Sequence, residues 1–281
     1  MILIADSGSS KTDWRLIDEA GHIHQAKTTG INPFLHTKEE VLSILQNELL
    51  PQLSQRHVRE AYFYGAGCAS EKACNLISYA LEEVFAGVKA SVTHDLLAAA
   101  RALCNKEAGI ACILGTGSNS CLYDGEKIVD KIPALGYVLG DEGSGSYIGR
   151  QLLNAYLKRD MPSDLGEKFA KRFEVDLPTV LENVYRQPSP SRYIAGFSRF
   201  AFHHLKHPYI FRMVYKSFED FFDKNVCKYE NYATHKIHFT GSVAFYYSNV
   251  LRQVANDKGL FVKNIVEAPI AGLTLYHQER I

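Results

Sequence analysis

Apolar positions in the first third of the chain follow a period of two and then a helical period. The run Ile2 to Ala5 ends in the polar turn DSGSSKT, after which DWRLID and GHIHQAKTTG alternate like strands separated by Gly21. This order predicts an antiparallel meander. From Lys38 to Leu53, Val41, Leu42, Leu45, Leu49 and Leu50 recur at helical spacing behind Thr37, whose hydroxyl suits an N-cap. Residues 61–67, AYFYGAG, read as a strand ending in glycine. Residues 71–85 read as an amphipathic helix with Leu76, Tyr79, Ala80 and Val84 on one face, and an alanine-rich helix begins near Leu96.

The same grammar restarts at residue 110. IACILGTGSNSCLYDGEKIVDKI gives strand, glycine turn, strand, an Asp-Gly hairpin signal and strand. Both halves therefore open strand, small-residue turn, strand, as a duplicated domain would, although no residue-level repeat is visible. Residues 150–235 are mainly helical in pattern, broken around Pro188 and Pro190 and again between His203 and Pro208. HFTGSVAFYYSNVLRQV, 238–254, then gives strand, Gly-Ser turn and helix, and the segment APIAGLTL lies in a closing helix. The predicted division is residues 1–108 and 109–268, with a helix over 269–281 packing back on the first domain. A chain of 281 residues is long enough for two cores enclosing a cleft.

Composition narrows the partners. With 46% hydrophobic and 22% charged residues the chain reads as globular. Lys plus Arg equal Asp plus Glu at 31 each, which lacks the electrostatic footprint of a nucleic-acid binder. The apolar start is too short for a leader core or for the ~20 residues that span a bilayer. The expectation is a cytoplasmic protein with a small-molecule partner, binding neither nucleic acid nor membrane, with a homodimer left open. Six scattered cysteines lack metal-ligand spacing and are expected as reduced thiols.

Three glycine-bearing turns carry the candidate chemistry. DSGSSKT, from Asp6 to Thr12, puts a carboxylate at a strand end before small residues whose backbone N–H groups can face an anion. GTGSNS, Gly115 to Ser120, repeats that design with the Thr116 and Ser118 hydroxyls, and two such hairpins can clamp a triphosphate. TGSVA, Thr240 to Ala244, lies between a strand and a helix, where glycine lets a nucleotide approach. Neither GxxxxGK[ST] nor a strand-linked GxGxxG is present. Asp95 in VTHDLLAAA sits at a strand-to-helix junction, as a general base or as an N-cap. Asp141 and Glu142 stand among Gly140, Gly143 and Gly145, where carboxylates can accept bonds from sugar hydroxyls. Asn32 in TTGINPF suits a ligand or a turn before Pro33. His203, His204 and His207 have no companion ligands at metal spacing and read as a solvated turn, whereas Tyr215, Phe218, Phe221 and Phe222 read as core or interface.

The three turns, in this order, resemble the phosphate 1, phosphate 2 and adenosine motifs of the actin, Hsp70 and hexokinase superfamily. Together with GYVLGDEGSGSYIGRQ (136–151) and APIAGLTL (268–275), the pattern resembles the BadF/BadG/BcrA/BcrD ATPase family, and within it the N-acetylglucosamine kinases. GDEGS is the most specific piece, and the likeness covers nearly the whole chain. It implies an α/β fold of two duplicated ribonuclease H-like domains, each a mixed sheet flanked by helices, with a cleft between them. It also implies ATP and Mg²⁺, and phosphorylation of an amino sugar at its 6-hydroxyl.

Carried over by position, the resemblance gives Asp6 the Mg²⁺ shell through water, and Gly8, Ser9, Ser10, Lys11 and Thr12 the β- and γ-phosphates. It gives Thr116 and Gly117 phosphate and sugar, and Gly241 with Ser242 the adenosine. Asp95 accepts the proton of the attacking hydroxyl, and Asn32, Asp141 and Gly145 contact the sugar. Redox activators of the broader family carry a [4Fe-4S] cluster on a cysteine in the glycine-rich segment after phosphate 2, where this chain has GDEGSG and no cysteine from Lys127 to Lys224. A nucleotide-dependent regulator is the other alternative, against which the presence of both Asp95 and Asp141 weighs.

Overall fold

The computed structural model describes residues 1–8, 11–53 and 57–278. The chain divides into two compact units. The first comprises Met1–Lys106 with Gly125–Lys127 and the segment from Ala268 onward, and the second comprises Glu107–Asp124 and Ile128–Glu267.

In the first unit β1 (Ile2–Ser7), β2 (Lys11–Ile17) and β3 (Ile23–Thr29) form the antiparallel meander. Thr37 caps α1 (Lys38–Ile44) in a capping box with Glu40, and the helix relaxes into a π turn at Leu45–Leu49 and a 3₁₀ turn at Leu50–Gln52. β4 (Glu60–Gly65), α2 (Glu71–Val84), β5 (Lys89–His94) and α3 (Asp95–Cys104) follow. The sheet order is β3-β2-β1-β4-β5, with β1, β4 and β5 parallel.

Period-two alternation gives this sheet two apolar faces. Leu3, Ala5, Trp14, Leu16 and Phe63 meet α1 and α2, while Ile4, Ile17 and Tyr64 meet Ala98 of α3. The buried stripe of α2 is Ala73, Ile77, Ala80 and Leu81, with Tyr79 exposed, which corrects the expected face by a rotation of part of a turn.

The second unit repeats the plan. β6 (Gly109–Leu114), β7 (Ser118–Tyr123) and β8 (Ile128–Asp130) form its meander. Then come α4 (Gly136–Leu139), α5 (Gly145–Leu157), α6 (Ser163–Phe173), α7 (Leu177–Tyr185), α8 (Pro190–Gly196), α9 (Ser198–His203) and α10 (Pro208–Lys224). β9 (Ile237–Thr240), α11 (Ser242–Tyr246), α12 (Ser248–Asp257) and β10 (Val262–Val266) complete it.

Its sheet, β8-β7-β6-β9-β10, matches the first strand for strand, including the parallel β6-β9-β10 half. Phe218, Phe221 and Phe222 of α10 fill its core against Phe239 of β9, as their helical spacing predicts. Tyr215 is half-buried and bonds Asp257.

The chain returns to the first unit as α13 (Ile270–Gln278). Ile270 and Leu273 join the face formed by Ile4, Tyr64 and α3, and His277 bonds the Tyr64 hydroxyl at 2.8 Å. Gly272 permits the approach, since a Cβ there would lie 2.3 Å from the Ala102 carbonyl oxygen of α3. All six cysteines are free thiols. Among the described residues no helix is long and apolar enough to cross a membrane.

Candidate active site

β1, β4 and β5 run parallel and end together, and the first unit's candidate residues gather at that end. Asp6 lies opposite Asp13 of β2 on the face that also carries α3. Burial, then the carboxylates of Asp13 and Asp95, push the Asp6 carboxyl up to about 7, against the pull of Lys11. Asp13 is held by Lys11 Nζ at 2.9 Å and by Lys27 at 3.8 Å, so the lysine of the hairpin is tethered beside Asp6.

Asp95 is the first residue of α3 rather than its cap. His94 caps instead, its Nδ1 accepting from the Leu97 N–H, and so fixes the turn that presents Asp95. Burial raises the Asp95 carboxyl, while His94 and the backbone N–H groups of the first turn hold it back.

The hairpin between β1 and β2 closes through a Gly8 N–H bond to the Lys11 carbonyl. A Cβ on Gly8 would meet nothing nearer than 3.8 Å, so the fold itself does not demand glycine there. Thr12 departs from its expected role. Its hydroxyl is fully buried, shares a hydrogen bond of 2.7 Å with Ser7 Oγ and lies 3.2 Å from the Thr29 carbonyl, and therefore locks the meander rather than facing a ligand. Ser7 extends the lock to both backbone groups of Ile31, next to Asn32. Ser9 and Ser10 lie outside the described residues.

Asn32 is nearly buried, and its Oδ1 accepts from the Phe34 N–H in the turn expected before Pro33. Its Nδ2 donates to no described residue. Gly67, at φ +86°, makes room for it, since a Cβ would fall 2.3 Å from Asn32 Oδ1.

In the second unit the GTGSNS turn is gripped by the start of α5. The N–H groups of Gly145 and Ser146 donate to the carbonyls of Gly115 and Thr116 at 2.8 and 3.0 Å. Gly145 is buried, and its backbone packs the turn against Ala195 and Ser198. Thr116 stays exposed at the tip.

Asp141, left-handed at φ +57° and nearly buried, accepts from the Ser118 N–H, and its carboxylate lies flat on Gly117, where a Cβ would be 2.9 Å from Oδ2. Burial raises its carboxyl and Glu142 adds to this, opposed by Ser118, Ser146 and Arg150. Glu142 is paired with Lys224 at 3.1 Å.

Gly241 meets the requirement of its motif through geometry. At φ +112° it passes the Leu114 carbonyl so closely that a Cβ would lie 2.3 Å from the oxygen, and Ser242 is exposed beyond it. Sequence reasoning overlooked His94, Gly67 and Arg150. Arg150 donates from one guanidinium nitrogen to the carbonyls of Tyr137 and Val138, steadying the segment before GDEGS. Its signal was its place one helical turn and a half past Ser144, the α5 cap.

The residues suit magnesium held through water. No three His, Cys, Asp or Glu side chains converge as a direct cage among the described residues. Asp6 is instead a desolvated carboxyl under the influence of two others, which Lys11 opposes only in part.

The model of the BadF/BadG/BcrA/BcrD ATPase family matches residues 5–272. A crystal structure of a candidate N-acetylglucosamine kinase from Porphyromonas gingivalis is 43% identical, covers 99% of both chains and superposes with a TM-score of 0.94. A second candidate N-acetylglucosamine kinase, from Chromobacterium violaceum, shares the fold at 15% identity, with 98% of each chain covered and a TM-score of 0.79. A ROK family glucokinase from Streptomyces griseus, solved with glucose and AMPPNP, shares it at 15% identity and a TM-score of 0.57, over 99% of this chain and 98% of its own. Among curated proteins, none matches.

Proposed function

The chain belongs to the BadF/BadG/BcrA/BcrD ATPase family, and from that premise we propose that it is a sugar kinase. It moves the γ-phosphate of ATP to a hydroxyl of an amino sugar, with the 6-hydroxyl of N-acetylglucosamine as the leading acceptor. The observation that carries this reading is Asp95, a buried carboxyl raised by desolvation, presented by a capped helix start on the same side of the sheet as Asp6.

A carboxylate of raised pKa is a stronger base, and Asp95 accepts the proton of the attacking hydroxyl as its oxygen bonds to the γ-phosphorus and the bond from that phosphorus to the bridging oxygen breaks, releasing ADP. The hairpin that the Gly8 bond closes offers its remaining backbone N–H groups to the phosphates, and Thr116 with Gly117 offers a second set. Asp6 would hold magnesium through water, and the metal would supply charge to offset that gathering on the phosphate oxygens. Asp141 accepts from sugar hydroxyls, its oxygens fixed by Ser118 and by the Gly117 backbone. Asn32 Nδ2 donates to the sugar, and Gly241 with Ser242 lines the adenosine site.

A coupled assay of ADP release with ATP and Mg²⁺ over a panel of sugars tests this, run on the wild type and Asp95→Asn together. Sugar-dependent release that collapses in the variant is expected. ATP binding without stimulation by any sugar would sink the proposal and favour a nucleotide-dependent regulator.

A further inference from the structure

HHLKH, residues 203–207, is a concentration of positive and protonatable groups in a chain that is neutral overall. In the second unit it curls from the end of α9 to the start of α10 and, with α6, lines an open cavity of about 500 Å³. Lys168, Lys206, His203, His204 and His207 surround it, Phe202 supplies an aromatic wall 40% exposed, and no carboxylate is among the lining residues. The nearby Asp164 is already shared by Lys168 at 3.5 Å and His207 at 3.6 Å.

Asp164 thus offsets part of the charge at the rim, while Lys206 has no carboxylate among the lining residues. The remaining field is felt by His204, whose ring lies 4.3 Å from that of Phe200 and whose pKa is lowered by burial and then by Lys168, Arg172 and His203, with Asp164 opposing. A metal ion fits poorly, because no three ligating side chains converge among the described residues. Two lysines and three imidazoles beside an aromatic wall instead match a ligand with an anionic head and a compact ring, in a cavity of the size that holds small metabolites.

We propose that this cavity is a second binding site, separate from the phosphate hairpins, for a phosphate monoester of a small cyclic metabolite, its phosphate on Lys168 and Lys206 and its ring against Phe202. The sugar 6-phosphate expected as product is one member of that class, so the site offers a means of sensing the product pool. Only this link to product rests on the kinase reading.

Calorimetry with N-acetylglucosamine 6-phosphate, inorganic phosphate and unphosphorylated N-acetylglucosamine tests the site, on the wild type and on Lys168→Ala/Lys206→Ala. Histidine ring resonances in NMR report the location. The ester should bind and shift the signals of His203, His204 and His207. The double variant, exposed at both positions and melting like the wild type, should weaken it by about tenfold or more, a loss of ~1.4 kcal/mol. Equal affinity in wild type and variant would overturn the proposal, as would unmoved histidine signals or no saturable binding. Inorganic phosphate binding as tightly as the ester would overturn the organic ligand. None of these readings uses turnover, so they stand or fall apart from the kinase assignment.

Discussion

Asp6 and Asp95 are the residues at which burial and charge pull against each other. Asp6 keeps its proton up to about pH 7 in the fold, whereas an unfolded chain releases it near 3.8. Between those values the folded state binds more protons, so stability is present at the acidic end and is lost as pH rises, by up to about 1.4 kcal/mol per unit. Asp6→Asn removes that dependence. Its melting temperature should exceed that of the wild type at pH 8 and converge with it near pH 4, while phosphoryl transfer falls, and parallel melting curves would disprove the desolvation. Asp95→Asn should lower kcat by about 10²–10⁴-fold with nucleotide affinity retained, read by steady-state kinetics beside calorimetric titration. Other roles were illegible from sequence at this scale. Thr12 stands in a motif that reads as phosphate-facing, yet strand alternation turns its hydroxyl inward to Ser7. Gly145 is assigned to the sugar by resemblance alone, and nothing in its sequence position announces the bond from its N–H to the Gly115 carbonyl. Pattern gives spacing, not the partner.

Elements were more legible, because strands and helices follow periods that hydrophobic burial enforces. The meanders, α3 and the aromatic face of α10 lie where their patterns place them. β10 was missed as a strand: VKNIV is short, sits at the sheet edge, carries a register shift and alternates weakly. The face of α2 was misjudged because Tyr79 counts as apolar in a pattern while its hydroxyl end is content in water. Two glycine turns offer a contrast. Gly241→Ala forces a Cβ onto the Leu114 carbonyl at a positive φ and should destabilise the second unit by on the order of 2–4 kcal/mol in thermal or denaturant unfolding. Gly8→Ala makes only an ordinary contact with the Lys11 carbonyl, so stability should hold within about 0.5 kcal/mol while the KM for ATP rises, and an unchanged KM would remove that hairpin from the phosphate site.

Across the whole molecule, the two sheets share one strand order and one pattern of parallel and antiparallel pairing, a duplication that the residues no longer spell out. Topology outlasts sequence because the pairing depends on alternation and turn placement, which many side chains satisfy. The first unit draws α13 from the far end of the chain, and Ile270 and Leu273 complete the apolar layer under Ile4 and Tyr64. A chain ending at residue 267 should therefore lose amide protection in β1, β4 and α3 by hydrogen exchange while β6 and β9 keep theirs. Uniform loss, or none, would contradict that division.

The same arrangement has a consequence for biosynthesis. A ribosome issues the chain from one end at ~5–20 residues per second, and the second unit's last strand, β10, emerges before α13 does. The unit that begins first in the message is thus the one finished last. Until its closing helix arrives, the layer around Tyr64 is open to water, and a nascent-chain chaperone has its natural target in the N-terminal sheet rather than in the unit that follows it.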